Sequence, residues 1–519
     1  VKASPDLTRE NPAVPGTLDP VTAEDSDVKG PRRGVVYAIA PSPLADGLIW
    51  CGTDDGLIWL SRDDGGNWQN VTPKDLSAWS KVGIIEASHF NVGTAYAAID
   101  RHRLDDLSAI ILRTKDGGAT WTSISRGIPS GSFVNVVRED PVRPGLLYAG
   151  TETGVFVSFD DGEHWQPLQL NLPNCSIRDI DVRHGDLVVG THGRSFWVLD
   201  DVSPLRQFDA IAPGAELVLL APRSVPRLRP APFQGSPEPK DEPMAENPPS
   251  GAIVDYFVRS AATGPLVLEI LDDKGKLVRR YTSDEKPPSA DLQRIQTTPD
   301  WVPAPEPPSA AAGMHRFVWD LHYELPEELV SPSRRGRVGV GPWAPPGRYS
   351  VRVSHGGRTV TRSLVVGRDP RVHSVTDADL VRLFELARDV QGERVRVGVA
   401  LRQAGALRKQ IAEARERGQG KAATALDGLE KAIDLVAGPP MLSPADEFFD
   451  PGGLSPTSLR RLSRSLSELQ AAVESADAAP SPDALTGLAE RRKLVEVGLA
   501  RWQDVLATDA PKAGIVLKK

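Results

Sequence analysis

Along the first 200 residues the apolar positions come in short runs. Leu48-Ile-Trp-Cys51 and Leu57-Ile-Trp-Leu60, then Leu147-Tyr-Ala149 and Val155-Phe-Val157, are each closed by a Gly-containing turn. Short apolar runs between turn signals predict strands, because a helix needs a longer stretch with three-and-four spacing. Strand-like runs resume at 253–258, 266–271, 277–281, 315–321, 347–353 and 359–366, several with alternating polarity. Asp272-Asp-Lys-Gly275 between two of them is a hairpin signal. After Thr376 the period changes. Leu380, Leu383, Leu386, Ala387 and Val390 fall on one helical face, with Thr376 and Asp379 as a capping-type start. Further helices are expected over roughly 398–417, 421–437, 456–476 and 482–507, broken by Pro439-Pro440 and Asp450-Pro-Gly-Gly453. The pattern therefore predicts a mainly β chain with a helical C-terminal part.

The turns of the first part carry a repeat. Ser61-Arg-Asp63-Asp-Gly65-Gly-Asn-Trp68, Thr114-Lys-Asp116-Gly-Gly118-Ala-Thr-Trp121 and Ser158-Phe-Asp160-Asp-Gly162-Glu-His-Trp165 share the pattern Ser/Thr-x-Asp-x-Gly-x-x-Trp. They start at 61, 114 and 158, so 53 and then 44 residues apart, about one four-stranded propeller blade. A fourth strand–turn–strand unit, 187–199, is followed by Asp200-Asp201 without the full box. The box belongs on the hairpin between the last two strands of a blade. Its hydroxyl and Asp side chains bond nearby backbone and hold a tight turn. Gly supplies positive φ, and the Trp is expected to fold back and bury apolar area on the blade. Asp63, Asp116 and Asp160 are thus turn residues and not catalytic acids. The stretch after Trp68, Val71-Thr-Pro-Lys-Asp-Leu-Ser77, nearly matches the opening Ala3-Ser-Pro-Asp-Leu-Thr8. Val1 is therefore expected to follow the Trp of a preceding blade.

These motifs resemble the bacterial sortilin-like Asp-box (BNR) repeat propellers, often labelled glycosyl hydrolases because sialidases carry the same box. The likeness lies in Ala40-Pro-Ser-Pro-Leu44, Gly52-Thr-Asp-Asp-Gly56, Arg138-Glu-Asp-Pro141, Tyr148-Ala-Gly-Thr-Glu-Thr-Gly154 and Thr191-His-Gly-Arg-Ser-Phe-Trp197. It extends through Asn247-Pro-Pro-Ser-Gly-Ala252 and Phe317-Val-Trp-Asp-Leu321. The resemblance implies a longer propeller, with upstream blades as a partner, and a secreted or periplasmic location. Residues 1–205 are then about four blades of that partial propeller and 206–250 a Pro-rich linker; 251–370 are expected as an Ig-like β-sandwich, since Pro345-Pro-Gly-Arg-Tyr-Ser-Val-Arg-Val353 resembles the closing strands of bacterial Ig-like modules, and 371–519 as a helical hairpin or bundle. Pro-rich insertions at 286–308 and 325–346 are placed on the sandwich surface.

Composition narrows the chemistry only a little. A net charge of −8 and a pI near 5.7 argue against a nucleic-acid surface, and no run approaches the roughly 20 apolar residues of a membrane helix. Cys51 and Cys175 exclude a disulfide framework, are expected as small buried side chains, and leave a single bridge open. No HExxH, CxxC, P-loop or G-x-S-x-G motif is present, and the histidines form no ligand-spaced cluster, so no cofactor and no metal are expected. Candidate residues come from the loops at one propeller face, a natural concave site. Asp54, Arg101, His102, His192 and Arg194 are the candidate ligand contacts. Asp55 and Glu152 are the candidate catalytic carboxylates, since glycoside hydrolysis needs two acids across a cleft. Two functions stay open. One is a binding or scaffold module for peptide, protein or glycan, and the other is a glycoside hydrolase acting on a polysaccharide.

Overall fold

The computed structural model describes residues 4–10, 34–229, 247–260, 264–286, 306–330, 340–416, 423–440 and 453–515. The chain divides into two compact units, Val1–Phe208 and Asp209–Lys519.

The first unit is built of consecutive antiparallel meanders. The first sheet is β1 (Val36–Pro41), β2 (Ile49–Thr53), β3 (Ile58–Ser61) and β4 (Gln69–Asn70). The second is β5 (Lys81–Ala87), β6 (Ala95–Asp100), β7 (Ile110–Thr114) and β8 (Thr122–Ser123). The third is β9 (Val134–Glu139), β10 (Leu147–Thr151), β11 (Val155–Ser158) and β12 (Gln166–Pro167). The fourth has three strands among the described residues, β13 (Ile177–Arg183), β14 (Asp186–Thr191) and β15 (Phe196–Leu199).

Each sheet packs on the next. Ile58 and Leu60 share a buried core with Val82 and Ile85, Ile111 with Val134 and Val137, and Val155 and Val157 with Ile177 and Ile180. Meanders stacked face to face in chain order are propeller blades, so the first unit has a β-propeller fold. The Gly-Thr pairs that open the strand-ending turns have a packing cause. A Cβ on Gly52 would strike the Val82 side chain, and one on Gly150 would strike Ile177. The β-branched residue of the next sheet occupies that space.

The box turns carry one correction to the expectation above. In all three, two successive residues are left-handed: Asp64 and Gly65 at φ 56° and 80°, Gly117 and Gly118 at 70° and 84°, Asp161 and Gly162 at 62° and 88°. The hydroxyl of Ser61, Thr114 and Ser158 accepts the amide of Gly65, Gly118 and Gly162 at 2.8, 2.9 and 2.9 Å. The tryptophans, however, do not simply cover their own blade. Trp121 Nε1 donates to Val71 O at 2.8 Å and Trp165 Nε1 to Ile124 O at 2.6 Å, both on the preceding sheet. Trp68 Nε1 turns instead to Gly65 O in its own turn. Gly118 and Gly162 abut the Val71 and Ile124 side chains, so the box is an inter-blade clamp as well as a turn.

In the second unit a three-stranded and a five-stranded sheet share one core. The first joins β16 (Leu217–Leu219), β18 (Ala252–Val258) and β21 (Gly313–Trp319). The second joins β17 (Val225–Pro226), β23 (Arg358–Gly367), β22 (Gly347–His355), β19 (Val267–Leu271) and β20 (Leu277–Thr282). Tyr256 and Trp319 from one sheet meet Ile270, Val351 and Leu364 from the other. Helices α1 (Asp377–Glu416), α2 (Ala423–Ala437), α3 (Leu459–Val473) and α4 (Pro482–Asp504) follow, with their own apolar core.

Three expectations change here. Residues expected as linker are strands at 217–219 and 225–226, because Leu217 and Leu219 enter the sandwiched core and Val225 pairs with Val366. Arg206, expected to open the linker, instead closes a helical turn of the first unit (203–206), where its Nε bonds Asp140 at 2.9 Å and Leu205 packs on the fourth-sheet core. The first two expected helices are one 40-residue helix, α1, since Val390, Val397, Ala400, Ala404, Leu407 and Ile411 continue a single buried stripe past Gly392 and Gly398. Part of the linker (230–246) and much of the two Pro-rich insertions (287–305 and 331–339) lie outside the described residues.

Candidate functional site

The turns between second and third strands occupy equivalent places in each propeller sheet, and they hold every candidate site residue. A repeated backbone bond fixes them. The amides of Asp54, Glu152 and His192 donate to the carbonyls of Val35, Phe133 and Ser176, each just ahead of a first strand, at 3.1, 3.0 and 2.8 Å. In the first, third and fourth sheets the meander thus brings one loop residue beside the start of the first strand.

In the first sheet the two acids face inward. Asp55 is fully buried; Oδ1 accepts from Thr53 Oγ1 at 2.5 Å and Oδ2 from the Arg9 amide at 2.6 Å. Its backbone carbonyl also accepts from Arg9 Nε and from the Trp79 amide. Trp59 Nε1 reaches Leu7 O at 2.7 Å, so Asp55 and Trp59 together seat the segment 4–10 on the first sheet. Asp54 Oδ1 accepts from Val35 N at 2.7 Å. Burial pushes the Asp54 carboxyl above the ordinary carboxylate range, and the Asp55 charge adds to that against the pull of the Val35 amide.

In the second sheet His102 Nδ1 lies 2.6 Å from Asp100 Oδ1, and its ring stacks on Phe133 at 4.9 Å. Arg101 Nη1 pairs with Asp106 at 3.2 Å within its own loop. Both side chains brace structure, His102 by tying the second sheet to the third.

The third and fourth sheets form the one cluster in which candidate residues meet. Ser176 Oγ donates to Glu152 Oε2 at 2.7 Å, and Asn135 Nδ2 lies 3.5 Å from the same oxygen. Arg178 Nη2 stands 3.8 Å from Glu152 Oε2 and 3.4 Å from His192 Nδ1. Glu152 is part-exposed, while Arg178, His192 and Arg194 are exposed. The patch offers the Glu152 carboxylate, the Arg178 guanidinium and the His192 imidazole to solvent, with the buried Ser176 hydroxyl bonding the carboxylate from beneath. Asp55 and Glu152 come from sheets separated by the whole second sheet, and each carboxylate is bonded to its own neighbours. Asn135, Ser176 and Arg178 are not marked by the sequence pattern, because they sit on or just before first strands, where the apolar spacing predicts a strand and says nothing of the polar residues between. Cys51 and Cys175 are buried and unbridged, and burial pushes the Cys51 thiol up to about 11. Among the described residues no three His, Cys, Asp or Glu side chains come together as a metal site, and no helix is long and apolar enough to cross a membrane.

No protein-family description and no curated protein matches the chain. Among solved structures, YCF48 from Cyanidioschyzon merolae is similar at 20% identity over 32% of this chain and 53% of its own, with a TM-score of 0.25. YCF48 bound to D1 peptide is similar at 14% identity over 52% and 75%, with a TM-score of 0.26. A GH74 enzyme of Niastella koreensis is similar at 15% identity over 64% and 54%, with a TM-score of 0.28. The chain thus spans about half the length of the first of these. At such scores the likenesses carry no conclusion about chemistry, and the propeller fold rests on the sheets themselves.

Proposed function

We propose that the propeller unit is an extracytoplasmic binding module that presents the Glu152, Arg178 and His192 patch to a peptide, protein or glycan. One observation carries this: hydrogen-bonding groups from two successive sheets converge on an exposed patch, with Arg178 within reach of both Glu152 and His192. A guanidinium beside a carboxylate and an imidazole matches ligands with mixed donors and acceptors, such as backbone amides, carboxylates or sugar hydroxyls. The location, further blades upstream and an Ig-like form for the two-sheet region belong to the same proposal and rest on the sequence resemblance.

The hydrolase alternative pairs Asp55 with Glu152. It needs two carboxylates about 5–10 Å apart across a cleft open to substrate. The complete burial of Asp55 and the engagement of both its oxygens favour the binding role. Arrays of peptides and glycans, with a polysaccharide-hydrolysis assay, decide between the two. Binding without turnover, weakened about 10-fold or more by Arg178→Ala or Glu152→Gln, is the expected result. Turnover lost on Asp55→Ala or Glu152→Ala in a folded protein would establish the hydrolase.

A further inference from the structure

The connection from the third propeller sheet to the fourth carries one residue that the core does not explain. Leu168 and Leu172 pack on the apolar core shared by the two sheets. Leu170, between them, is 72% exposed. Its backbone is also left-handed, at φ 44°. Leu172 N donates to Gln169 O at 2.8 Å, so Leu170 is the first central residue of a four-residue turn. Positive φ in a turn suits Gly and is unfavourable for a bulky side chain. The equivalent turn between the second and third sheets, Ser125–Ile128, meets the same demand with Gly127, at φ 103°. At 170 an apolar side chain is instead held in water, on a backbone that suits glycine. Strain of this kind collects where a binding site uses it.

The loop is anchored at both ends to the turn that carries Glu152. At one end the Gln169 side chain fills the space that a Cβ on Gly154 would need. Gln169 Nε2 also donates to Leu172 O and Pro173 O at 2.9 and 3.0 Å, which fixes the turn. At the other end Ser176 Oγ donates to Glu152 Oε2 at 2.7 Å, and Ser176 O accepts the His192 amide at 2.8 Å. Leu170 directly follows Gln169, so it stands beside the turn of Glu152. The junction it spans is closed, with Val155 and Val157 buried together with Ile177 and Ile180. Leu170 is therefore not part of an open sheet face.

We propose that Leu170 is the apolar contact of the Glu152, Arg178 and His192 patch, and that the ligand is a peptide segment with an aliphatic or aromatic side chain beside the polar groups that Arg178 and Glu152 bond. The proposal rests on the binding-module reading above and selects among its ligands. A peptide carries apolar side chains next to amide donors and acceptors, which matches a leucine beside a guanidinium and a carboxylate. A glycan brings hydroxyls that Leu170 cannot bond, and burying them unbonded costs free energy.

The full chain is panned against a random dodecapeptide library and screened in parallel on an oligosaccharide array, and recovered peptides are titrated by fluorescence anisotropy. These peptides are expected to share an apolar residue at one position. Leu170→Ser is expected to weaken them about 10-fold or more, as the loss of one apolar side-chain contact. Serine at the shared apolar position of the peptide is expected to cost as much with the unchanged chain and little more with Leu170→Ser. Leu170→Gly is expected to weaken binding equally yet melt no lower than the unchanged chain, because Gly suits the left-handed backbone. A lower Tm for Leu170→Gly makes Leu170 a structural residue and overturns the proposal. Peptides that depend on Arg178 but are indifferent to Leu170 overturn it and leave the binding module standing, as does binding of oligosaccharides alone. Binding of neither class removes both.

Discussion

At the residue scale the repeated box decides local structure. Its aspartates accept backbone amides four residues on: Asp63 from Asn67, Asp116 from Thr120 and Asp160 from His164, at 2.8, 2.9 and 2.9 Å. The Asn67 amide holds Asp63 below the usual carboxylate range, and the Thr120 hydroxyl does the same for Asp116. At Asp160 a desolvation cost is outweighed by the His164 bonds, so the net direction is also down. A carboxyl depressed in the folded state stabilises it above the ordinary value of about 3.9 and loses that contribution as pH falls through the folded value. Asp116→Asn is therefore expected to lower Tm near neutrality, and the difference is expected to shrink as pH falls below about 4 and to disappear only below the depressed folded value. Thermal melts across pH check this; an unchanged difference in acid would show that the charge is irrelevant. Gly162→Ala is expected to cost about 1–3 kcal/mol in chemical denaturation, from positive φ and from the clash with Ile124.

At the element scale the sheets are joined by charge as well as by apolar area. Arg138 on β9 donates to Glu86 on β5 at 3.1 Å, to Asp179 on β13 at 2.8 Å and to Ile180 O at 2.8 Å, so one side chain spans three sheets. Burial pushes the Glu86 carboxyl up despite the nearby Arg138. Removing the guanidinium leaves Glu86 buried without its cation. Arg138→Ala is thus expected to cost about 2–4 kcal/mol by urea unfolding, well above a surface substitution. The start of α1 is simpler. Asp379 N donates to Thr376 Oγ1 at 3.1 Å while Thr376 N donates to Asp379 Oδ2 at 3.0 Å, a reciprocal cap. Thr376→Ala should cost about 1 kcal/mol and speed amide exchange in the first turn of α1.

At the scale of the whole molecule, the second unit is locked by a buried charge. Arg227, in a stretch expected to be linker, is 1% exposed and bonds Asp477, which follows α3, at 2.8 Å; Arg229 bonds the same carboxylate. Trp343 lies under both guanidinium groups, and its amide donates to Glu474 Oε1 at 3.2 Å. The shared Asp477 carboxylate therefore ties the sheets of this unit to its helices. Asp477→Ala strands Arg227 and is expected to cost about 3–5 kcal/mol. Hydrogen exchange should quicken in β22 and α3, while the propeller sheets keep their protection. Equal loosening everywhere would argue against a lock confined to this unit.

The sequence by itself determined what local physics can specify. Short apolar runs between Gly turns could only be strands, the hydroxyl–Asp–Gly–Trp spacing marked its hairpins, and Thr376 with Asp379 marked a helix start. It placed Asp54, Glu152 and His192 on equivalent turns, since the repeat counts residues. What the turns reach was a tertiary matter. Trp121 and Trp165 clamp the preceding sheet, Asp55 is sealed under Arg9 (46 residues away in sequence), and Arg178 joins Glu152 across two sheets. Leu217 and Val225 became strands because partner strands far along the chain accept their backbone. Gly392 did not end α1 because buried apolar residues continue on both sides of it. Such outcomes depend on contacts between residues distant in sequence, and hydrophobic periodicity carries no record of which distant residue will be the partner.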